Sequence, residues 1–399
     1  MRPVIPLLSL GSPRETIRPP PGIGDTLILV LDASGDAATL REVHARLEQL
    51  GLVARGLSNS HPHLLAVSPS GTRELEPADV ERLARELAGM KGIEGLVARS
   101  TRYPLASREL HRSDTQVTVS RAGFTPVTFG GRDVPVIAGP CSVETRDQVL
   151  AVARAAAAAG ASMLRGGAFK PRTSPYAFQG LGLAGLEMLA AAREETGLLV
   201  ATEALDLESL EQVAAHADLV QVGTRNMSNF TLLKAAGRCG RPVLLKRGFS
   251  STLEEWLLAA EYLLAAGNPD VILCERGVRT FGDHARFVLD LNIVPAAKAL
   301  CHLPVIADPS HGTGRADCVE PLARAAVAVG ADGIMIEVHP EPSRALSDGP
   351  QALLPERLPD LMRQLDVIAS AIGRRVAGPR APAAGGRADV VADLKELSR

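Results

Sequence analysis

The sequence predicts an α/β protein: a (β/α)8 barrel preceded by a small α+β unit of ferredoxin-like βαββαβ order. From Val134 to Ile336, eight short apolar segments alternate with amphipathic or alanine-rich helical runs, the pattern of a barrel of about 250 residues. Ahead of them, residues 26–98 read strand, helix, strand, strand, helix, strand. Composition agrees with both. The chain is 46% hydrophobic but only 3% aromatic, as alanine- and valine-rich helices packed on small-residue strands require.

In chain order, residues 1–25 carry Arg18-Pro19-Pro20-Pro21-Gly22 and no charged-then-apolar leader pattern, and are expected as a disordered tail. Residues 26–100 form the small unit. Thr26–Leu31 is its first strand, and Leu40, Val43, Leu47 and Leu50 recur at helical spacing over about 37–50, with Gly51 as the cap. Residues 52–57 and 64–68 read as strands around the turn Ser58-Asn59-Ser60-His61-Pro62. A second helix covers 77–90 and a fourth strand 92–98. His61 and His63 flank the turn proline and are expected as exposed turn histidines.

Residues 101–114 are expected as a linker and 115–373 as the barrel. The barrel is introduced by a hairpin at 115–119 and 125–129 that ends at Gly130-Gly131. Its strands begin at Val134, Ser162, Leu198, Leu219, Val243, Val271, Val305 and Gly333, and a helix over 355–372 closes it. Residues 374–399 shift to Arg, Ala, Pro and Gly and are expected as a tail, with a short helix from Ala388.

Barrel chemistry sits at the C-terminal ends of the strands, and here those ends are polar. The second strand runs into Leu164-Arg165-Gly166-Gly167-Ala168-Phe169-Lys170-Pro171-Arg172-Thr173-Ser174-Pro175. Prolines stiffen this loop and glycines allow a close backbone approach, so Arg, Lys and hydroxyl groups are presented together to anionic oxygens. The fourth, fifth and sixth strands lead to Arg225, Lys246-Arg247 and Arg276. A formal net charge of −2 leaves no global basic face for nucleic acid or an anionic membrane. The cations therefore describe a local well for a small polyanion with more than one phosphate or carboxylate.

Cys141, His311 and Glu337 lie just past the first, seventh and eighth strands, with Asp348 in the loop that follows. These strands are neighbours in a closed barrel. A thiolate, an imidazole and two carboxylates suit a divalent transition metal better than Mg or Ca. Spacing alone leaves the alternative open, since a lone buried Cys is usually core and a lone His usually hydrogen-bonded packing. Five cysteines at irregular spacing fit a reduced cytoplasmic protein, and charges interrupt every apolar run before membrane-spanning length.

The runs 138–142 (Ala-Gly-Pro-Cys-Ser), 164–180, Leu245-Lys246-Arg247-Gly248, Glu275-Arg276-Gly277, Asp308-Pro309-Ser310-His311 and Glu337-Val338-His339-Pro340-Glu341-Pro342 resemble one family. It is the type I 3-deoxy-D-arabino-heptulosonate 7-phosphate (DAHP) synthases, in the subclass with an N-terminal ferredoxin-like regulatory domain. The likeness covers the barrel by motif and residues 26–100 by architecture. It implies a metal-dependent condensation of phosphoenolpyruvate with erythrose 4-phosphate, the first step towards the aromatic amino acids.

Carried over by motif, Cys141, His311, Glu337 and Asp348 would bind the metal, one of Mn, Fe, Co or Zn. Arg165, Lys170, Arg225, Lys246 and Arg276 would bind phosphoenolpyruvate, and Arg172, Thr173 and Ser174 the erythrose 4-phosphate. Lys170, Cys141 and His311 would be catalytic. The resemblance also implies an aromatic amino acid effector, Tyr or Phe, and a homo-oligomer, tetramer or dimer, with no nucleic acid or membrane partner. The sequence His311-Gly312-Thr313-Gly314 is a variant that keeps the ligand. Three alternatives remain: the related 3-deoxy-D-manno-octulosonate 8-phosphate synthases, which act on arabinose 5-phosphate; a Schiff-base aldolase using Lys246 or Lys170; and a non-catalytic amino-acid sensor.

Overall fold

The structure, a computed structural model, describes residues 27–377 apart from 33–36, 59, 71–76, 88–89, 91 and 99–100. The expected N-terminal tail and the helix from Ala388 lie outside the described residues. The small unit contains β1 (Leu27–Leu31), α1 (Ala37–Gln49), β2 (Leu52–Ser58), β3 (His61–Pro69), α2 (Pro77–Leu87) and β4 (Ile93–Ala98). Its strands are antiparallel in the order β2-β3-β1-β4, the ferredoxin-like arrangement. β1 is apolar at every position because both its faces are covered. Leu27, Leu29 and Leu31 pack with Val43, Leu47, Leu83 and Leu87 of the two helices, while Ile28 and Val30 join the core that continues into the barrel. The turn between β2 and β3 is shorter than expected: Ser58 pairs with His61, so His61 already belongs to β3.

The 101–114 segment packs on the barrel. Tyr103, Leu105 and Ala106 are buried, and the amides of Leu105 and Ala106 donate to the Glu261 carboxylate at 3.0 and 2.9 Å. Then come the hairpin strands β5 (Val117–Val119) and β6 (Val127–Phe129). The eight barrel strands follow: β7 (Asp133–Gly139), β8 (Met163–Arg165), β9 (Leu199–Ala204), β10 (Leu219–Val222), β11 (Val243–Lys246), β12 (Val271–Glu275), β13 (Val305–Ala307) and β14 (Ile334–Glu337). All are parallel, and the β14–β7 pairing from Ile334↔Val136 to Glu337↔Gly139 closes the ring.

The outer helices are α3 (Arg146–Ala158), α4 (Leu183–Thr196), α5 (Leu207–His216), α6 (Phe230–Ala236), α7 (Leu253–Ala265), α8 (Ile293–Leu300), α10 (Ala316–Ala328) and α11 (Leu358–Ala371), with a short α9 (Pro309–Thr313) directly after β13. Side-chain caps fix several starts: Gln148 N donates to Thr145, and Asp206–Ser209 and Thr252–Glu255 form capping boxes. Inside the ring Ile137, Met163, Leu199, Leu219, Leu244, Ile272, Ile306 and Met335 form one cluster with Val117, Val119, Val127 and Phe129. The hairpin thus fills the N-terminal end of the barrel. A second expectation is corrected. Arg375–Ala377, assigned to the C-terminal tail, is a further strand, β15, paired with the first half of β7.

The small unit meets the barrel at that same end. Ser60, at the β2–β3 turn, lies against Gly267 in the turn that leads into β12.

Candidate active site

Parallel strands all finish at the same end, so each polar residue that follows an apolar run arrives at one face. Glycine makes the tightest junctions possible. A Cβ on Gly139 would stand 2.0 Å from the Arg165 carbonyl oxygen, and one on Gly167 would stand 2.7 Å from that of Cys141. The end of β7 therefore passes directly against the end of β8, which places Cys141 beside Arg165 and Lys170.

Cys141, His311, Glu337 and Asp348 offer ligand atoms that all lie within 4.8 Å of one another. His311 sits on α9, whose first turn is capped by Asp308: Oδ1 accepts from His311 N, and Oδ2 lies 2.7 Å from Nδ1. Asp308 accepts the Nδ1–H hydrogen bond, so Nε2 presents its lone pair to the cluster, 3.1 Å from Glu337 Oε1. Glu337 is fully buried; its Oε2 accepts from Gln351 at 2.6 Å, whereas Oε1 accepts no hydrogen bond. Asp348 has φ 49°, the one non-glycine positive φ among the described residues. Its loop is tied down by the buried Ser142–Ser347 hydroxyl pair and by Leu346 N donating to Glu144 at 2.8 Å.

Electrostatics fit a cation here. Burial, then Glu337, pushes the Cys141 thiol up to about 12, and Sγ–H donates to Asp348 at 3.4 Å. Burial also lowers His311. It opposes the charge on Asp348, yet His311, Lys170 and Arg286 hold that carboxyl well below the usual range. A soft sulfur, an imidazole nitrogen and a buried carboxylate oxygen without a hydrogen bond match a divalent transition metal.

Beside the cluster lies a cavity of about 280 Å³ lined by Arg165, Lys170, Arg172, Thr173, Ser174, Arg225, Lys246 and Arg276, with His311 and Asp348. Every residue expected at the site thus converges, Cys141 and Glu337 lying buried behind the wall. Arg165 is 5% exposed; its Nη2 pairs with Glu337 Oε1 at 3.0 Å, while its Nε and Nη1 make no hydrogen bond. Such orphaned cationic donors in a buried wall suit an anion. Lys246 lies 2.6 Å from Asp308, and Lys170 donates to the Cys141 carbonyl at 2.9 Å. Both amines are engaged in hydrogen bonds, which disfavours a Schiff base.

The same wall carries residues that sequence reasoning did not single out: Glu203, Gln221, Phe249 and Arg286. Glu203 was visible only as the polar end of the third barrel strand. Arg286 pairs with Asp348 at 3.0 Å from a loop with no periodicity to flag it.

Comparison with known proteins returns one consistent picture. The family model described as "DAHP synthetase I family" matches residues 114–371. A phospho-2-dehydro-3-deoxyheptonate aldolase of Thermotoga maritima is 48% identical over 294 residues, 74% of this chain and 86% of that one. A 2-dehydro-3-deoxyphosphooctonate aldolase of Nitratidesulfovibrio vulgaris is 37% identical over 251 residues, 58% of this chain and 91% of its own length. The crystal structure of the Thermotoga maritima enzyme superposes with a TM-score of 0.68 at 42% identity, covering 88% of this chain and 99% of that one. A truncated form of the same enzyme gives 0.63 at 46% identity, covering 69% and 99%.

Proposed function

This chain belongs to the DAHP synthetase I family, and from that premise we infer that it condenses phosphoenolpyruvate with erythrose 4-phosphate and water, giving DAHP and inorganic phosphate. The observation that carries the reading is the convergence of four metal-ligating atoms within 4.8 Å beside a cavity lined by seven cations. Seating two mutually repelling anions side by side is a large part of the task, and fixed cations in a dry wall accomplish it without solvent reorganisation.

Arg165, Lys170, Arg225, Lys246 and Arg276 hold the phosphate and carboxylate of phosphoenolpyruvate. Arg172, Thr173 and Ser174, nearer the rim, hold the phosphate of erythrose 4-phosphate. Cys141, His311, Glu337 and Asp348 would hold a divalent transition metal (Mn, Fe, Co or Zn), which when bound polarises the aldehyde carbonyl as a Lewis acid. With the substrates so held, C3 of phosphoenolpyruvate reaches the aldehyde carbon. Lys170 Nζ, 3.1 Å from Cys141 Sγ, donates the proton to the oxygen that becomes the new hydroxyl. Glu203, which accepts from Gln221 at 3.1 Å, takes a proton from the water that adds at C2. Phosphate then leaves C2 by C–O cleavage, taking the proton of the C2 hydroxyl as that oxygen becomes the ketone.

Residues 26–100 carry none of these groups. We assign them a regulatory role in a homo-oligomer, tetramer or dimer, with an aromatic amino acid, Tyr or Phe, as effector. Phosphate release decides the main reading. It should require erythrose 4-phosphate rather than arabinose 5-phosphate and stop on chelation. Preference for arabinose 5-phosphate would move the chain to the octulosonate branch.

A further inference from the structure

Of the chain's eight phenylalanines, two stack beside the cavity, Phe249 in its wall and Phe287 buried behind it. Phe249 follows β11, Phe287 lies in the loop after β12, and their rings stack at 5.3 Å and 13°. Around this pair gather four guanidinium groups. Arg276 Cζ lies 4.3 Å from the Phe287 centroid and 5.0 Å from that of Phe249, and Arg225 Cζ lies 5.5 Å from Phe249. Arg279 and Arg286 sit over Phe249 and Phe287 at 5.2 and 5.3 Å.

The contrast with Arg247 is informative. Arg247 is also buried, and Glu275 and Asp290 neutralise it at 3.0 and 3.2 Å. Arg276 is 4% exposed and makes no ion pair among the described residues; its one hydrogen bond goes to the Gly277 carbonyl at 3.3 Å. A carboxylate partner would cancel the charge and occupy the N–H edge that an incoming phosphate needs. An aromatic face attracts the guanidinium electrostatically from above and leaves the in-plane donors open.

We infer that Phe249 and Phe287 are positioning residues for the known reaction: a stacked shelf that fixes Arg276 and Arg225 while leaving their charge uncompensated for the phosphate of phosphoenolpyruvate. This rests on the reading that those two arginines meet phosphoenolpyruvate. The rings act through the guanidiniums and touch no reacting atom. Their loss therefore weakens the capture of one substrate and leaves the chemical step in place.

The test uses the full metal-loaded chain. Phe287→Leu and Phe249→Leu should each raise the KM for phosphoenolpyruvate about tenfold, the scale of one partly buried cation–π contact. The KM for erythrose 4-phosphate and kcat should move much less, and Phe→Tyr should restore the parent value. Site-specific mono-, di- and trifluorophenylalanine at 287 keeps the ring's shape while withdrawing its electrons, and should raise the same KM stepwise. Arg276→Ala is the reference. If it raises that KM while the leucine variants stay at the parent value, the shelf is overturned and the underlying reading stands. A KM insensitive to fluorination also overturns the shelf, since shape alone would then account for the leucine effect. If Arg276→Ala leaves the KM unchanged, the assignment of Arg276 to phosphoenolpyruvate falls with it.

Discussion

Lys170 Nζ lies 3.1 Å from Cys141 Sγ, in contact with a thiol that burial pushes up to about 12. Without metal the thiol is therefore protonated at neutral pH, and a ligand thiolate forms only by losing that proton. Metal uptake should release protons, and affinity should rise with pH. Calorimetry in buffers of different ionisation enthalpy measures the release. Cys141→Ser should lose nearly all bound metal and activity while keeping its unfolding midpoint. Full activity in a metal-free Cys141→Ser protein would sink the metal site.

Lys246 and His311 share the Oδ2 of Asp308, at 2.6 and 2.7 Å. Burial works against charge on Asp308, but its contacts with His311 and Lys246 hold it well below the usual range. Lys246→Ala removes a cavity cation and one partner of a buried carboxylate together. It should lower kcat/KM for phosphoenolpyruvate by about 2–4 kcal/mol in transition-state binding. Steady-state kinetics read this directly. A loss confined to erythrose 4-phosphate would reverse the division of the cavity.

Arg172 is half-buried, and Thr173 and Ser174 beside it are exposed. Arg172→Ala should raise the KM for erythrose 4-phosphate by roughly tenfold or more, as loss of one charge-assisted phosphate contact predicts. A change only in the phosphoenolpyruvate KM would show that this loop serves the other substrate.

His302 locks the 101–114 segment to the barrel: Nε2 donates to the Leu105 carbonyl at 2.7 Å, and Nδ1 lies 2.6 Å from the Thr115 hydroxyl. Burial pushes it down to about 4 from the ordinary 6.5. The unfolded chain binds a proton below about pH 6.5 that the folded protein refuses until about pH 4. Stability from this group is therefore complete above pH 6.5 and lost as pH falls towards 4, by up to about 3 kcal/mol. The unfolding midpoint should drop more between pH 7 and 4.5 for the parent than for His302→Gln. Equal slopes would remove His302 from the cause.

Removing the small unit should abolish inhibition by an aromatic amino acid and spare catalysis. The start point matters. A chain beginning at Arg102 keeps Tyr103, Leu105 and Ala106 on the barrel, whereas one beginning at Arg112 strips them and the amides bound to Glu261. The shorter chain should be less stable by roughly 3–5 kcal/mol for the two large apolar side chains. Denaturant titration of both decides this, and inhibition persisting in the longer one would place the effector on the barrel.

The barrel and most of the candidate ligand set were legible in sequence because Cys141, His311 and Glu337 come at or just after apolar runs, and parallel strands deliver run ends to one face. Cys141, His311 and Glu337 need no long-range information beyond that rule. The other features depend on it entirely. Arg375–Ala377 is three residues long and becomes a strand only because the first half of β7 offers it a ladder. His61 reads as a turn residue until its pairing with Ser58 is known. Phe249 and Phe287 lie 38 positions apart in irregular loops, and nothing local marks them as stacked.

The hairpin at Val117–Phe129 that fills the lower end of the ring has a kinetic corollary. With the ring interior packed by its own side chains and its floor closed, the cavity is reached from the C-terminal face of the barrel. Arg165 and Lys246 lie deep, at 5% and 4% exposure, while Thr173 and Ser174 stand at the lip. A molecule seated at the lip bars the way to the depth. On the proposed division of the cavity, phosphoenolpyruvate should therefore bind before erythrose 4-phosphate, and initial-velocity and product-inhibition patterns should be those of an ordered mechanism.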